Sequence, residues 1–564
     1  MMNPLIPLLT SSLLFGFAFL QSAPGQEPGG TLELIHRLEN SNGVTNFGGW
    51  NGDAGDLNGD GIPDFALGDP NFTPGGLVYA YSGVDGSELW SHQGVQFSSH
   101  LGSAIAAAGD VNGDGFGDLI VGDTNFEAPP GSNSGAAMVI SGLDSSPLWL
   151  WTGLTHAEQF GSALDGGGDV NGDGVPDLIV GAHGSVHSGI QGGSAFVYSG
   201  SQGTELWRFN GLNDGDRMGA SVAIAGDVNG DGFDDLLVGA PSVNTPGGVS
   251  SGSVHVYSGV DGSLIHQFQG SADNERLGER VASVGDINAD GFADLLMSAP
   301  YAQSGGVVDA GSVFLYSGMD GSLLFRFDGI ENENLGWAIS EAGDWDLDGY
   351  PDFAIGSALR QAIDVYSGIS GQILWSFPED YPGTPDNLNG LGTSVRLIGD
   401  IQGMGFPALL AGAPYAQNNS TPSGTAITFA YNPILASSAV SFSASTGAIL
   451  DFQINSPSEA ANGEFKLLLS AAGTGPTNIG GVDVPLSLDA LLINSFFNLY
   501  PPEILNSGMH GTLDAEGDAL IYLGFLPGSL SSAVGLQVHL AALINMPNQL
   551  PVYASVATPL EILP

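Results

Sequence analysis

The sequence predicts an all-β chain: a seven-bladed β-propeller with four-stranded blades, followed by a small β-sandwich-like C-terminal domain. Three observations predict it. An acidic, glycine-bearing loop returns along the chain at Asp56, Asp110, Asp169, Asp227, Asp286, Asp344 and Asp400, in steps of 54, 59, 58, 59, 58 and 56 residues. Between loops the same order of strand-like runs recurs, four to a unit. A period of this length marks stacked supersecondary units that bury their faces against their neighbours. Finally, 88 glycines and only 12% charged residues, in 564 with 42% hydrophobic, suit a turn-rich chain with large cores.

Taken in order, residues 1–24 open with an apolar run from Leu5 to Leu20 and end on Gln21-Ser22-Ala23-Pro24. Short length and small residues after the run predict a secretory signal peptide, although the usual leading Lys or Arg is missing. The propeller is expected over 31–431. One complete unit reads from Ser199: a turn, a strand at Thr204–Phe209, a polar loop, a small-residue strand at Gly219–Ala225, the acidic loop, an apolar strand at Leu236–Gly239, and an alternating strand at Ser253–Tyr257. The turn Ser258-Gly259-Val260-Asp261-Gly262, repeated at Ser82 and Ser317, reads as hairpin chemistry. At the ends of the array, Thr31–Leu38 has strand character with no earlier partner and Thr425–Tyr431 lacks a following one. The N-terminal strand is therefore expected to complete the last blade and close the ring, which removes two exposed edges. Residues 436–564 carry further strand-like runs at Ala448–Ile454, Phe465–Ser470, Ala519–Leu523 and Leu536–Leu543.

The loops carry the chemistry. In Asp227-Val228-Asn229-Gly230-Asp231-Gly232-Phe233-Asp234-Asp235, side-chain oxygens fall at positions 1, 3, 5 and 9, glycine at 6, and the carbonyl of position 7 is available. That is an oxygen-only set of the kind calcium takes at roughly 2.3–2.6 Å. Magnesium, which keeps its waters, and zinc, which prefers nitrogen or sulfur, suit it less. The expected ligands are Asp56, Asn58, Asp60, Ile62 and Asp64 in the first loop, and Asp110, Asn112, Asp114, Phe116 and Asp118 in the second. The third offers Asp169, Asn171, Asp173, Val175 and Asp177; the fourth Asp227, Asn229, Asp231, Phe233 and Asp235; the fifth Asp286, Asn288, Asp290, Phe292 and Asp294. The sixth offers Asp344, Asp346, Asp348, Tyr350 and Asp352. With four acids it should bind most tightly. The seventh has Met404 and Ala408 at positions 5 and 9 and should bind none. About six structural calcium ions are expected. A strand, not a helix, follows each loop, which argues against EF-hand and dockerin readings.

Nine Lys+Arg stand against 60 Asp+Glu, a net charge of −51. A nucleic-acid partner is excluded on that balance, since phosphates need clustered cations. No cysteine is present, so packing and metal must replace disulfides. No cofactor fingerprint or nucleophile motif stands out. His183 and His187 have zinc-like spacing, but in a glycine-rich loop, and read as loop histidines. The aromatics Trp90, Trp149, Trp207, Phe268, Phe325 and Trp375 recur one per unit and read as packing between blades rather than a sugar platform. Trp337 and Tyr301 read as loop aromatics better placed for a ligand.

The repeats resemble the FG-GAP repeats of integrin alpha propellers. Gln159-Phe160-Gly161 and Val238-Gly239-Ala240-Pro241 give the two name-bearing ends, and Gly412-Ala413-Pro414 repeats the second. Most units have Leu-Gly or Met-Gly for Phe-Gly, and Gly68-Asp69-Pro70 departs from the second end. The whole chain is more similar to bacterial secreted FG-GAP proteins. The resemblance implies a calcium-bearing propeller, secreted or at the cell surface, with a role in adhesion or in binding an extracellular protein or polysaccharide ligand; the signal-peptide reading leaves no transmembrane span in the mature chain, and the lack of a catalytic motif argues against an enzyme. The competing class is a calcium-dependent polysaccharide lyase or hydrolase on a propeller scaffold, and the few Lys and Arg leave it little to neutralise a uronate.

Overall fold

The computed structural model describes residues 30–39, 46–128, 133–303, 306–346, 348–378, 388–403, 406–418, 421–422 and 424–433, together with the backbone of strands between 435 and 563. The signal-peptide reading of 1–24 and Met404 of the seventh loop lie outside the described residues.

Seven antiparallel four-stranded sheets follow one another around an axis. In the fourth, the strands run inner to outer as Ser221–Gly226, Asp235–Ala240, Ser253–Tyr257 and Leu264–Gln269. Inner strands of successive blades abut, and the first (Trp50–Gly55) also abuts the seventh (Ser394–Gly399), so the ring is closed. The outer strand of the seventh blade is Gly30–Glu39, paired antiparallel with Thr425–Pro433 from Gly30 opposite Pro433 to Glu39 opposite Thr425. Beyond 433, the backbone forms a three-stranded sheet and a six-stranded sheet, with a separate two-stranded pair. No described helix is long and apolar enough to cross a membrane.

Among the described residues of the ring, the hydrophobic side chains form seven clusters, one between each pair of neighbouring blades, the first and seventh included. This explains the continuous apolar runs of the second strands. In Asp235–Ala240 all six residues are buried. Leu236 and Val238 feed the cluster shared with blade three, while Leu237 feeds the one shared with blade five. A strand with both faces covered has no polar alternation to show. Each fully buried Leu or Val contributes about 1.5–3 kcal/mol.

Close approach between blades explains the two glycines that end the motif. A Cβ on Gly181, in the second strand of blade three, would sit 2.2 Å from the carbonyl oxygen of Gly219, which leads into blade four. The same contact joins Gly122 to Gly161 and Gly239 to Gly278. Side chains at those points would push the blades apart.

The recurring aromatics clasp the blades from outside. Trp90, Trp149 and Trp207 donate from Nε1 to the carbonyls of Gly142, Gly200 and Gly259, each in the next blade's hairpin turn, at 2.6, 3.0 and 2.8 Å. In blade four the equivalent residue is His266, whose Nε2 lies 2.7 Å from the Gly318 carbonyl. Phe268, two residues further, instead packs at a tilt against Tyr316 in the core between blades four and five. The six aromatics therefore do not share one register, though both kinds pack between blades. Trp337 is placed on a strand, Leu335–Gly343, edge-on to Tyr301 at 6.2 Å.

Candidate metal centres

Each acidic loop joins the inner strand of a blade to the second, so all six lie on one rim. The position-1 carboxylate organises the loop. Asp227 Oδ1 accepts N–H bonds from Gly230 and Asp231 at 2.6 and 3.2 Å, and Oδ2 accepts from Gly232 at 2.9 Å. Asn229 Oδ1 then accepts from Asp231 N–H at 2.9 Å, and Asp231 Oδ1 from Phe233 N–H at 3.1 Å. Asp56, Asp110 and Asp169 hold their loops in the same way, and Asp286 and Asp344 hold positions 5 and 6 of theirs. Asn58, Asn112, Asn171, Asn288 and Asp346 accept from the position-5 amides. Asp60, Asp114, Asp173, Asp290 and Asp348 accept from the amides of Ile62, Phe116, Val175, Phe292 and Tyr350. An oxygen holding one N–H keeps a lone pair for a cation.

Position 9 does more than the motif suggests. Asp64, Asp118, Asp177, Asp235, Asp294 and Asp352 are wholly buried at the start of the second strand. Asp235 Oδ2 accepts from Val228 N–H at 2.9 Å, and Oδ1 accepts from Gly259 N–H, in the turn between the third and fourth strands, at 3.0 Å. The other five make the same pair of bonds, Oδ1 reaching Gly83, Gly142, Gly200, Gly318 and Gly368. The Ser-Gly turn is thus tied to the loop, a link its hairpin composition did not signal. Burial pushes Asp64, Asp118, Asp177, Asp235 and Asp294 up to about 6, with nearby loop acids adding to it.

The sixth loop differs. Oxygens of Asp344, Asp346 and Asp348 lie within 4.8 Å of one another, the one such acidic group among the described residues. In the first five loops the position-3 amide donates to the position-9 carboxylate at 3.0–3.5 Å. Asp346 has no side-chain amide N–H to give, and once ionised its side chain has no proton at all. Burial, then the charges of its neighbours, push Asp346 up to about 7 and Asp352 to about 8. Donors that are all oxygen, with carboxylates crowded and half out of water, fit a hard divalent cation; once bound, it would supply the positive charge they lack.

Adjacent loops also touch. Gly117 N–H donates to the Asp56 carbonyl at 2.8 Å, and Ala293 N–H to the Asp227 carbonyl at 3.2 Å. The rings of Phe116, Phe233 and Phe292 lie against Gly59, Gly172 and Gly230 of the preceding loop. The fifth loop has Ala289 where those glycines stand, at φ 58°. His183 is not part of a metal pair: Nδ1 meets Ser162 Oγ at 2.9 Å, and burial lowers it to about 4.

Residues 160–198, 218–257 and 278–316 match the family described as FG-GAP repeat, and residues 56–121 the FG-GAP-like repeat. Integrin alpha-4 of Xenopus laevis is 33% identical over 266 residues, covering 44% of this chain and 25% of that protein. Integrin alpha-V of Gallus gallus is 29% identical over 208 residues, with 34% and 19% covered. Integrin alpha-5 of Xenopus laevis is 32% identical over 217 residues, with 36% and 20% covered. The chain spans a quarter or less of the length of these relatives.

Proposed function

We propose, on the premise that the ring is an FG-GAP propeller similar in part to integrin alpha chains, that this chain is a secreted, non-enzymatic ligand-binding or adhesion module stabilised by about six calcium ions. The observation that carries the reading is the repeated loop frame on one rim, with oxygen donors alone and three carboxylates gathered in the sixth loop. Calcium would act as structure, since a site copied around a ring marks no unique centre.

The opposite rim suits the ligand, an extracellular protein or polysaccharide. Its loops, which lead from one blade to the next, are folded around buried acids: Glu158, Asp216, Glu275 and Glu333 accept backbone N–H bonds from Leu154, Leu212, Ser271 and Ile330 at 2.6–3.1 Å. Three of these fixed loops hold apolar side chains in water, with Leu212 80%, Leu154 68% and Ile330 67% exposed, and the loop after the first blade, where buried Ser99 stands in the acid's place, adds Val95 and Phe97. Rigid loops bearing exposed apolar anchors lose little entropy on binding.

The test is retention on panels of matrix proteins and polysaccharides, in calcium and in chelator, with product analysis for new reducing or unsaturated ends. Calcium-dependent retention that falls with Phe97→Ser and Leu212→Ser, and no new ends, is expected. Turnover of a polysaccharide would overturn the reading in favour of an enzyme.

A further inference from the structure

A cavity of about 240 Å³ lies on the propeller axis, and every one of the seven inner strands contributes to its wall. Of the nine Lys and Arg in the chain, two face this one space. Arg280 is the first residue of the inner strand of blade five, in register with Ser394, and Arg396 stands two residues further along the inner strand of blade seven. The rest of the wall is neutral: Asn51, Ser103, Ser162 and Ser221 among it, and no acid.

Neither guanidinium has a carboxylate within ion-pair distance among the described residues. Arg280 donates only to the backbone carbonyl of its neighbour Glu279, at 2.8 Å. Burial pushes it down, the nearby charges of Glu279 and Tyr301 work against that, and Arg217 and Arg396 add like charge. The channel's own acids, Asp53, Asp165 and Glu341, lie at the depth of Arg396 or beyond it toward the metal rim, outside the cavity wall. Asp165 is engaged there, accepting from Ile224 N–H at 2.8 Å. The channel acids offset part of the charge of Arg396 from below, but within the chamber the two part-buried guanidiniums face neutral, hydroxyl-bearing walls, and an anion lying between them would be attracted by both.

We propose that the axial cavity binds a small carboxylate of sugar-acid size, held between the guanidiniums of Arg280 and Arg396. A carboxylate matches the planar fork of a guanidinium at two points, and the serine hydroxyls and Asn51 offer partners for sugar hydroxyls. The acid can arrive free or as the terminal unit of a chain. The net charge of −51 opposes entry from afar, but at physiological salt that repulsion is screened beyond about 8 Å. The site is independent of the metal loops, so it stands or falls apart from the calcium reading.

Isothermal titration calorimetry of the full chain in 0.15 M NaCl, a concentration at which the Debye length is about 8 Å, tests it, with galacturonate as probe, glucose as the neutral control and polygalacturonate as the chain-end form. Saturable galacturonate binding is expected, with glucose silent. Arg396→Gln and Arg280→Gln should each weaken it about tenfold or more, as expected for loss of a charge-assisted bidentate contact, while Arg396→Lys restores part of it. Melting temperatures confirm that each variant is folded. Polygalacturonate that competes with the monomer identifies a chain end as the source; lack of competition leaves the free acid. Absence of saturable binding to either uronate, or binding that is equal in wild type and both glutamine variants, would overturn the proposal.

Discussion

The first five loops and the sixth share a frame and differ among their side-chain ligands only at position 3. Asn229 and its four equivalents turn an amide N–H toward the position-9 carboxylate, whereas Asp346 adds a fourth negative charge. The five amide loops carry part of their own neutralisation. The all-acid loop carries none, so its metal-free state is the strained one and its demand for a cation the strongest. A ligand count alone ranks both kinds nearly equal; the donor on the amide separates them.

Removing calcium should give the largest effect, because a site filled at a hundred times its Kd stabilises by about 2.7 kcal/mol and six act together. Differential scanning calorimetry in calcium and in chelator reads it; equal melting temperatures would end the structural-calcium reading. Next comes the contrast between loops. Asp231→Ala should lower the melting temperature in calcium and leave the metal-free protein almost unchanged. Asp346→Asn should raise the metal-free melting temperature and weaken the tightest calcium site by about tenfold, since charge count sets affinity. If both variants behave alike, the amide does not matter.

The pH dependence of the metal-free protein follows from the same comparison. The position-9 acids have folded values above the unfolded one, so the folded state holds the extra protons, and stability falls as pH rises. For the first five loops the fall should run from about 4 to about 6, and for the sixth it continues to about 8. Glu341, exposed to the channel and raised to about 7 by the protein enclosing it and by the charges of Asp53 and Asp165, titrates in the upper part as well. Melting curves of Asp346→Asn and Glu341→Gln in chelator apportion that part; a flat profile above pH 6 in wild type would contradict it. The smallest effect belongs to the fifth loop. Ala289→Gly should stabilise by about 1 kcal/mol, the cost of a left-handed conformation for a residue with a Cβ.

Much of the fold was legible because the repeat is its own alignment. The period, the loop motif and the two-faced apolar runs such as Leu236–Val238 together require blades. Less legible was whatever depends on which blades meet. Phe268 was placed in one register with Trp207, but the residue that reaches the next turn is His266, and counting aromatics per unit cannot tell the two apart. The bond from Asp235 to Gly259 joins positions 24 apart through a turn whose composition is fully explained without it. Arg280 and Arg396 sit in different repeats at different depths, and only the closed ring points both at one chamber. Trp337 read as a loop residue because strand Leu335–Gly343, like Leu101–Gly109 in blade two, begins earlier than the other inner strands.

The closing pair of strands has a mechanical consequence. Gly30 lies opposite Pro433, at the end of the seventh blade that faces the metal rim, so a tension drawn between these two points pulls at the same end of neighbouring antiparallel strands. It loads their hydrogen bonds in succession rather than together, as a zip is opened. The ring should therefore yield to such a pull at low force, and first at its closing seam, while the six blades made from continuous chain are spared.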